Sequence, residues 1–196
     1  MMIKLFENKE AVKPSKSIDI YNTDKKFRVI YSDPAWEYPN KQDTKKLGGA
    51  SKHYNTMPLK AICDLPVKSI VEKDAVLFLW ITSPLLPCFM RVMEAWGFQY
   101  KSSFIWYKGH NMSHYNSLRH EFLLVGGRGS SVPDRELDTG KKRLFPSVYK
   151  EKQTVHSRKP SYYKAMIDSL YIKGNKLEMF ARRVDRAGWD YWGNEV

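Results

Sequence analysis

Apolar residues in this chain gather into short runs separated by polar segments, and the runs alternate between two periods. Val29-Ile30-Tyr31, inside the stretch Phe27 to Trp36, is β-branched and aromatic and reads as a buried strand. Met57 to Ile70 has Leu59, Ile62 and Leu65 at helical spacing, with Pro58 near the first turn and Pro66 as a stop. Ala75 to Trp80 is a continuous apolar strand, and Leu85 to Ala95 a helix closed by Gly97. Gln99 to Tyr107 alternates as a third strand, and Glu121 to Val125 is a fourth, followed by Gly126-Gly127-Arg128-Gly129. Ser161 to Tyr171 is amphipathic, with Tyr162, Ala165, Met166, Ile167 and Leu170 on its apolar side and Gly174 beyond its end. Lys176 to Phe180 is a fifth strand, Gly188 to Asn194 holds a last short one, and Ser17 to Ile20 is a short strand or edge segment. Strands alternating with helices predict an α/β protein, a mostly parallel sheet with helices on both faces. There is no internal repeat. One domain over residues 1–196 is expected, with mobile loops near 37–56 and 130–156.

The chemistry concentrates where strands stop. The first strand ends at Asp33-Pro34-Ala35-Trp36. Ligands of open α/β sheets bind outside the carboxyl ends of the strands. There Asp33 can accept an amino proton, the Pro34 carbonyl can accept another, and Trp36 offers a face on which a planar base could stack. An ordinary Asp-Pro turn would also explain the residues. The fifth strand runs into Arg182-Arg183, and Lys159-Pro160 stands just ahead of a helix N-terminus. In a parallel sheet these groups share one edge. No G-x-G-x-x-G or G-x-x-x-x-G-K-[ST] pattern occurs, so a phosphate-cradling nucleotide site is not indicated.

Charge then narrows the partner. Net charge is +12 and the pI about 9.6, an excess that favours a polyanion such as nucleic acid. The segment 37–56 interleaves Lys41, Lys45, Lys46 and Lys52 with Tyr38, His53 and Tyr54, a mixture suited to phosphates and bases; a solvated loop is the alternative. Lys141-Lys142-Arg143 adds a second basic cluster. Cys63 and Cys88 have no metal spacing, and His110, His114 and His120 lack companion ligands, so no metal is expected. The start, MMIKLFENKE, has no signal-peptide core, and the longest apolar run, Ala75 to Ile81, is too short for a bilayer. A cytoplasmic protein with no membrane partner is the expectation.

Five stretches stand here in one order: D-P-A-W at 33–36, A-x-x-H-Y-x-T-M at 50–57, the LFLW strand, H-S-R-K-P before a helix, and L-E-M-F-A-R-R near the carboxyl end. Together they resemble the beta-class N6-adenine methyltransferases, and more narrowly the family of the catalytic subunit of the mRNA adenosine methyltransferase with its phage and bacterial relatives. The resemblance covers roughly residues 17–196. It implies a seven-stranded Rossmann-like sheet, S-adenosyl-L-methionine as cofactor, and methyl transfer to the N6 amino group of adenine in DNA or RNA, with DNA favoured. By position it implies catalytic roles for Asp33, Pro34 and Trp36. Cofactor contacts are implied for Asp33, Lys159 (the carboxylate), Arg182 (the ribose side), Asn194 (the adenosine), and Asp185 and Glu195, where the family often carries amides. Asp19 and Ile20 resemble the segment lining the cofactor adenine. Tyr38, Lys45, Lys46, His53 and Tyr54 are the expected substrate contacts. Ala35 departs from the family's second proline. Alternatives are a catalytically degenerate nucleic-acid-binding partner subunit and a cytosine-N4 amino-methyltransferase. A homodimer or a partner subunit is expected to help hold the substrate.

Overall fold

The computed structural model describes residues 16–38, 56–109, 117–153 and 158–196. Eight strands form one sheet: β1 (Lys16–Ser17), β2 (Phe27–Ser32), β3 (Val71–Ile81), β4 (Gln99–Tyr107), β5 (His120–Arg128), β6 (Val148–Lys150), β7 (Lys176–Met179) and β8 (Trp189–Trp192), in the order β1-β8-β7-β2-β3-β5-β4-β6. Among the described strands only β5 runs against its neighbours; the other pairings are parallel. The carboxyl ends of β2, β3, β4, β7 and β8 therefore share one edge with the amino end of β5.

Side chains alternate across the two central strands, and each set has its own helical cover. Val29, Tyr31, Val76, Phe78 and Trp80 point to one face, where α4 (Ser161–Leu170) lays Tyr163, Met166, Ile167 and Leu170 against them. Ile30, Leu77, Leu79 and Ile81 point to the other, with Ile62 of α1 (Leu59–Cys63), Val67 and Ile70 of α2 (Val67–Ile70), and Val92 and Met93 of α3 (Phe89–Ala95). Burial on both sides explains why these strands read as continuous apolar runs.

The structure corrects several boundaries. Met57 to Ile70 is two short helices, because Pro66 lacks the N–H that would continue α1. Met57 itself is bridged to Trp36. Leu85 to Ala95 begins as a 3-10 helix, Ser83–Cys88, with Pro87 inside it. Strand β3 starts at Val71, four residues before its apolar run, and β5 extends through Gly126 and Gly127 to Arg128. The described part of 130–156 contains regular structure. It holds β6, and Asp134 there accepts hydrogen bonds from Arg28 and from the N–H groups of Ile172 and Lys173.

Candidate active site

Asp33 follows the last residue of β2, and the next residues are stitched down by their backbone. The Trp36 N–H donates to the Pro34 carbonyl at 2.8 Å, and the Met57 N–H donates to the Ala35 carbonyl at 2.7 Å. The Glu37 N–H in turn donates to Met57 at 3.1 Å. This gives Met57, the last residue of the A-x-x-H-Y-x-T-M stretch, a task in holding the loop. The Pro34 carbonyl keeps its second lone pair for another donor.

Trp36 is where the structure departs most from expectation. Its side chain lies in the core at 6% exposure, and its indole N–H donates to the Trp80 carbonyl at 3.1 Å. An indole packed this way fixes the loop and does not offer an open face for a base. Tyr38, half-buried, hydrogen-bonds through its hydroxyl to Thr82 Oγ1 at 2.8 Å, just past the end of β3. Lys45, Lys46, His53 and Tyr54 lie outside the described residues.

Lys159 reaches the same edge from the segment ahead of α4. Its ammonium is 2.7 Å from Asp33 Oδ2 and 3.2 Å from Glu121 Oε2, and it stands 5.3 Å over the Trp80 ring. Burial disfavours the Lys159 charge, but the two carboxylates outweigh it and raise the pKa well above the usual lysine value. Asp33 retains a third of its side-chain surface toward solvent. Burial still raises its pKa, and Lys159 offsets only part of that rise. Glu121 is closed in at 9% side-chain exposure, yet its pKa is held below the usual range: burial pushes up, and the ammonium groups of Lys159 and Lys108 more than cancel it.

Glu121 is the functional-site residue that the sequence reasoning missed. The available signal is a carboxylate opening an otherwise apolar strand; it reaches the ligand edge because β5 is antiparallel and arrives there by its amino end. Next to Lys159 is a polar cavity of about 200 Å3, lined by Trp106, Glu151, Lys152, Arg158 and Ser161.

The ends of β7 and β8 complete the edge. Phe180 takes a left-handed conformation, φ 62°, as the chain leaves β7, and its ring meets Trp192 edge-on. Gly193 follows, where a Cβ would lie 2.1 Å from the Ala181 carbonyl oxygen, so only glycine allows the two strand ends this close. Arg182 donates from Nε to Glu195 at 3.0 Å, and Asn194 is exposed beside them. Asp185 is held 2.5 Å from Lys164 and 3.1 Å from Arg183; Lys164 also pairs with Glu178. Asp19 spends its carboxylate on the Tyr21 N–H at 3.0 Å, and Ile20 is buried in the core. The edge thus gathers Asp33, Pro34, Lys159, Arg182, Asn194 and Glu195, while Trp36 and Ile20 support it from inside.

Residues 27–195 match the MT-A70 family. This chain is a member of the MT-A70 family. That agrees with the resemblance carried by the five stretches, with methyltransferase activity and with the Rossmann-like sheet. Its relatives include the type II methyltransferase M.MunI of a Mycoplasma species, 33% identical, with 88% of this chain aligned to 78% of that protein. The N6-methyladenosine RNA methyltransferase MTA1 of Pyricularia oryzae is 28% identical over 87% of this chain. The mouse N(6)-adenine-specific methyltransferase METTL4 is 26% identical over all of it. The chain spans about half the length of these last two, 47% and 45%.

Proposed function

We propose that this MT-A70 chain methylates the N6 amino group of adenine in nucleic acid with S-adenosyl-L-methionine as donor, and that Asp33 and the Pro34 carbonyl hold the amino group. The observation that supports this most is the Asp33–Lys159 pair at 2.7 Å on the ligand-binding edge of the sheet. A carboxylate beside an ammonium is complementary to the amino-acid end of the cofactor, and Arg182, Asn194 and Glu195 offer polar groups for its nucleoside end. The cofactor, when bound, would supply an electrophilic methyl group and keep the electron pair of the broken methyl–sulfur bond, leaving as a neutral thioether.

The chain's own residues address the nucleophile. The N6 lone pair of adenine is delocalised into the ring. Asp33 and the second lone pair of the Pro34 carbonyl accept hydrogen bonds from its two N–H groups and localise the lone pair on nitrogen. Most of the acceleration then comes from orientation. The proton displaced when the new N–C bond forms passes to Asp33 or to water. Intact Asp33 and Lys159 argue against a degenerate subunit, and Ala35 leaves the acceptor carbonyl of Pro34 in place. Trp36 holds the loop from below.

Net charge of +12 suits a polyanionic substrate. Residues 1–196 act as one domain in this reading, in the cytoplasm, with a second copy or a partner subunit helping to hold the strand. No helix among the described residues is long and apolar enough to cross a membrane. In this reading DNA is favoured over RNA as the substrate. Incubation with the cofactor and matched DNA and RNA oligonucleotides, single- and double-stranded, followed by nucleoside mass spectrometry, tests this. N6-methyladenine in DNA is expected. N4-methylcytosine alone would overturn the base assignment, and cofactor binding without transfer to any oligonucleotide would overturn the enzymatic reading.

A further inference from the structure

Two carboxylates compete for one ammonium at this site. Lys159 lies 2.7 Å from Asp33 and 3.2 Å from Glu121. Glu121 is the more enclosed, with 9% of its side chain exposed against 33% for Asp33, so it gains more from a counter-charge. Unopposed, it would draw Lys159 away from Asp33. Lys108, one residue past β4 and 10% exposed in its side chain, ion-pairs with the other oxygen of Glu121 and stands 5.8 Å over the Trp106 ring. The side chains form a row of alternating charge, Lys108, Glu121, Lys159, Asp33, drawn from four separate segments of the chain.

We propose that Lys108 is a positioning residue for methyl transfer: by occupying one oxygen of Glu121 it keeps the Lys159 ammonium shared with Asp33, and so holds the Asp33 carboxylate toward the target amino group. This rests on the role given to Asp33 above. Lys108 reaches Asp33 only through Glu121 and Lys159. Among the described residues, Lys152 and Arg158 line the cavity beside Lys159 and add positive charge there. Arg182 adds a weaker favourable field at Asp33 and Glu121 an unfavourable one, while Glu178, paired with Lys164, and Asp33 disfavour each other's charge. His120 stacks edge-on against Phe122, Arg119 donates to the Tyr107 hydroxyl, and the Glu151 carboxylate accepts from the Tyr149 hydroxyl. Tyr31, buried below Asp33, stays protonated because burial and Glu178 raise its pKa. None of these takes the second oxygen of Glu121.

The test uses the full chain with S-adenosyl-L-methionine and the oligonucleotide best methylated by the wild type. Single-turnover rates across pH and steady-state kinetics, with thermal melts, are compared for wild type, Lys108→Met, Lys108→Arg, Asp33→Ala and the double variant Lys108→Met/Glu121→Gln. Folded Lys108→Met is expected to lose about tenfold or more in rate, as for a misplaced catalytic group, with its acid limb moved to higher pH and oligonucleotide KM changed less than kcat. Lys108→Arg restores most of both. The double variant removes the competitor along with the cation, so its acid limb returns to the wild-type position or below; it carries the test where Lys108→Met does not fold. An acid limb that stays at the wild-type position in folded Lys108→Met, or one that stays raised in the double variant, overturns the role of Lys108. Those results leave Asp33 standing if Asp33→Ala is inactive. An active Asp33→Ala protein instead overturns the proposed function itself.

Discussion

Asp33 and Glu121 share one ammonium, yet their pKa values move in opposite directions. Burial raises the Asp33 pKa despite Lys159, so its ionised, proton-accepting form is lost at a higher pH than for an ordinary aspartate. The acid limb of the single-turnover rate is therefore expected above 3.8 and to disappear in Asp33→Ala; a limb at or below 3.8 contradicts the assignment. For stability the signs divide. The Asp33 contribution is present below its ordinary pKa and lost as pH rises through the raised one. The Glu121 contribution is present above 4.5 and lost as pH falls through its depressed folded value. Trp36 gives a second expectation at this scale. With its indole in the core, Trp36→Ala should destabilise the fold by about 3–5 kcal/mol. Chemical denaturation checks this; a variant of wild-type stability with weakened base binding would restore the stacking role that the packing argues against.

At the scale of elements, the proposed catalytic edge depends on how strands finish. Leu177, Met179 and Trp189 bury their side chains, yet it is Gly193 that lets β8 end against Ala181. A Cβ at Gly193 meets backbone, which cannot rotate away. Gly193→Ala is expected to cost about 1–3 kcal/mol of stability and to impair cofactor binding beside Arg182 and Asn194. A melt and cofactor calorimetry measure the two, and wild-type values in both would show that the strand ends can separate. The elements themselves were largely legible, because β2 and β3 are covered on both faces and so read as unbroken apolar runs. Strand direction was not. Gln99–Tyr107 alternates and Glu121–Val125 is apolar after its first residue; both read as strands, and nothing local marks that β5 reverses. That reversal is what carries Glu121 to the edge where β2 and β3 end, so the missed residue and the missed direction have one cause. Strand β6, three residues on the sheet's edge, is too short for periodicity to reveal.

Across the whole molecule, chemistry and charge divide the work. Asp33 and Lys159 were readable because proline and glycine punctuation places strand and helix ends. The Lys108–Glu121 pair was not, since it joins residues thirteen apart through a strand pairing. The net charge of +12 predicts phosphate-driven affinity that falls with salt. Replacing Lys45 and Lys46 by alanine is expected to flatten the log-affinity against log-salt slope by roughly one to two units. An unchanged slope excludes those two lysines from the phosphate track. The central claim, that Asp33 on this edge holds the adenine amino group for methyl transfer, is tested most directly by single-turnover methylation with wild-type and Asp33→Ala protein at matched folded concentration and saturating cofactor. The expected result is near-complete loss of N6-methyladenine formation with nucleic-acid affinity mostly retained. A folded Asp33→Ala protein that methylates adenine at the wild-type rate would contradict it.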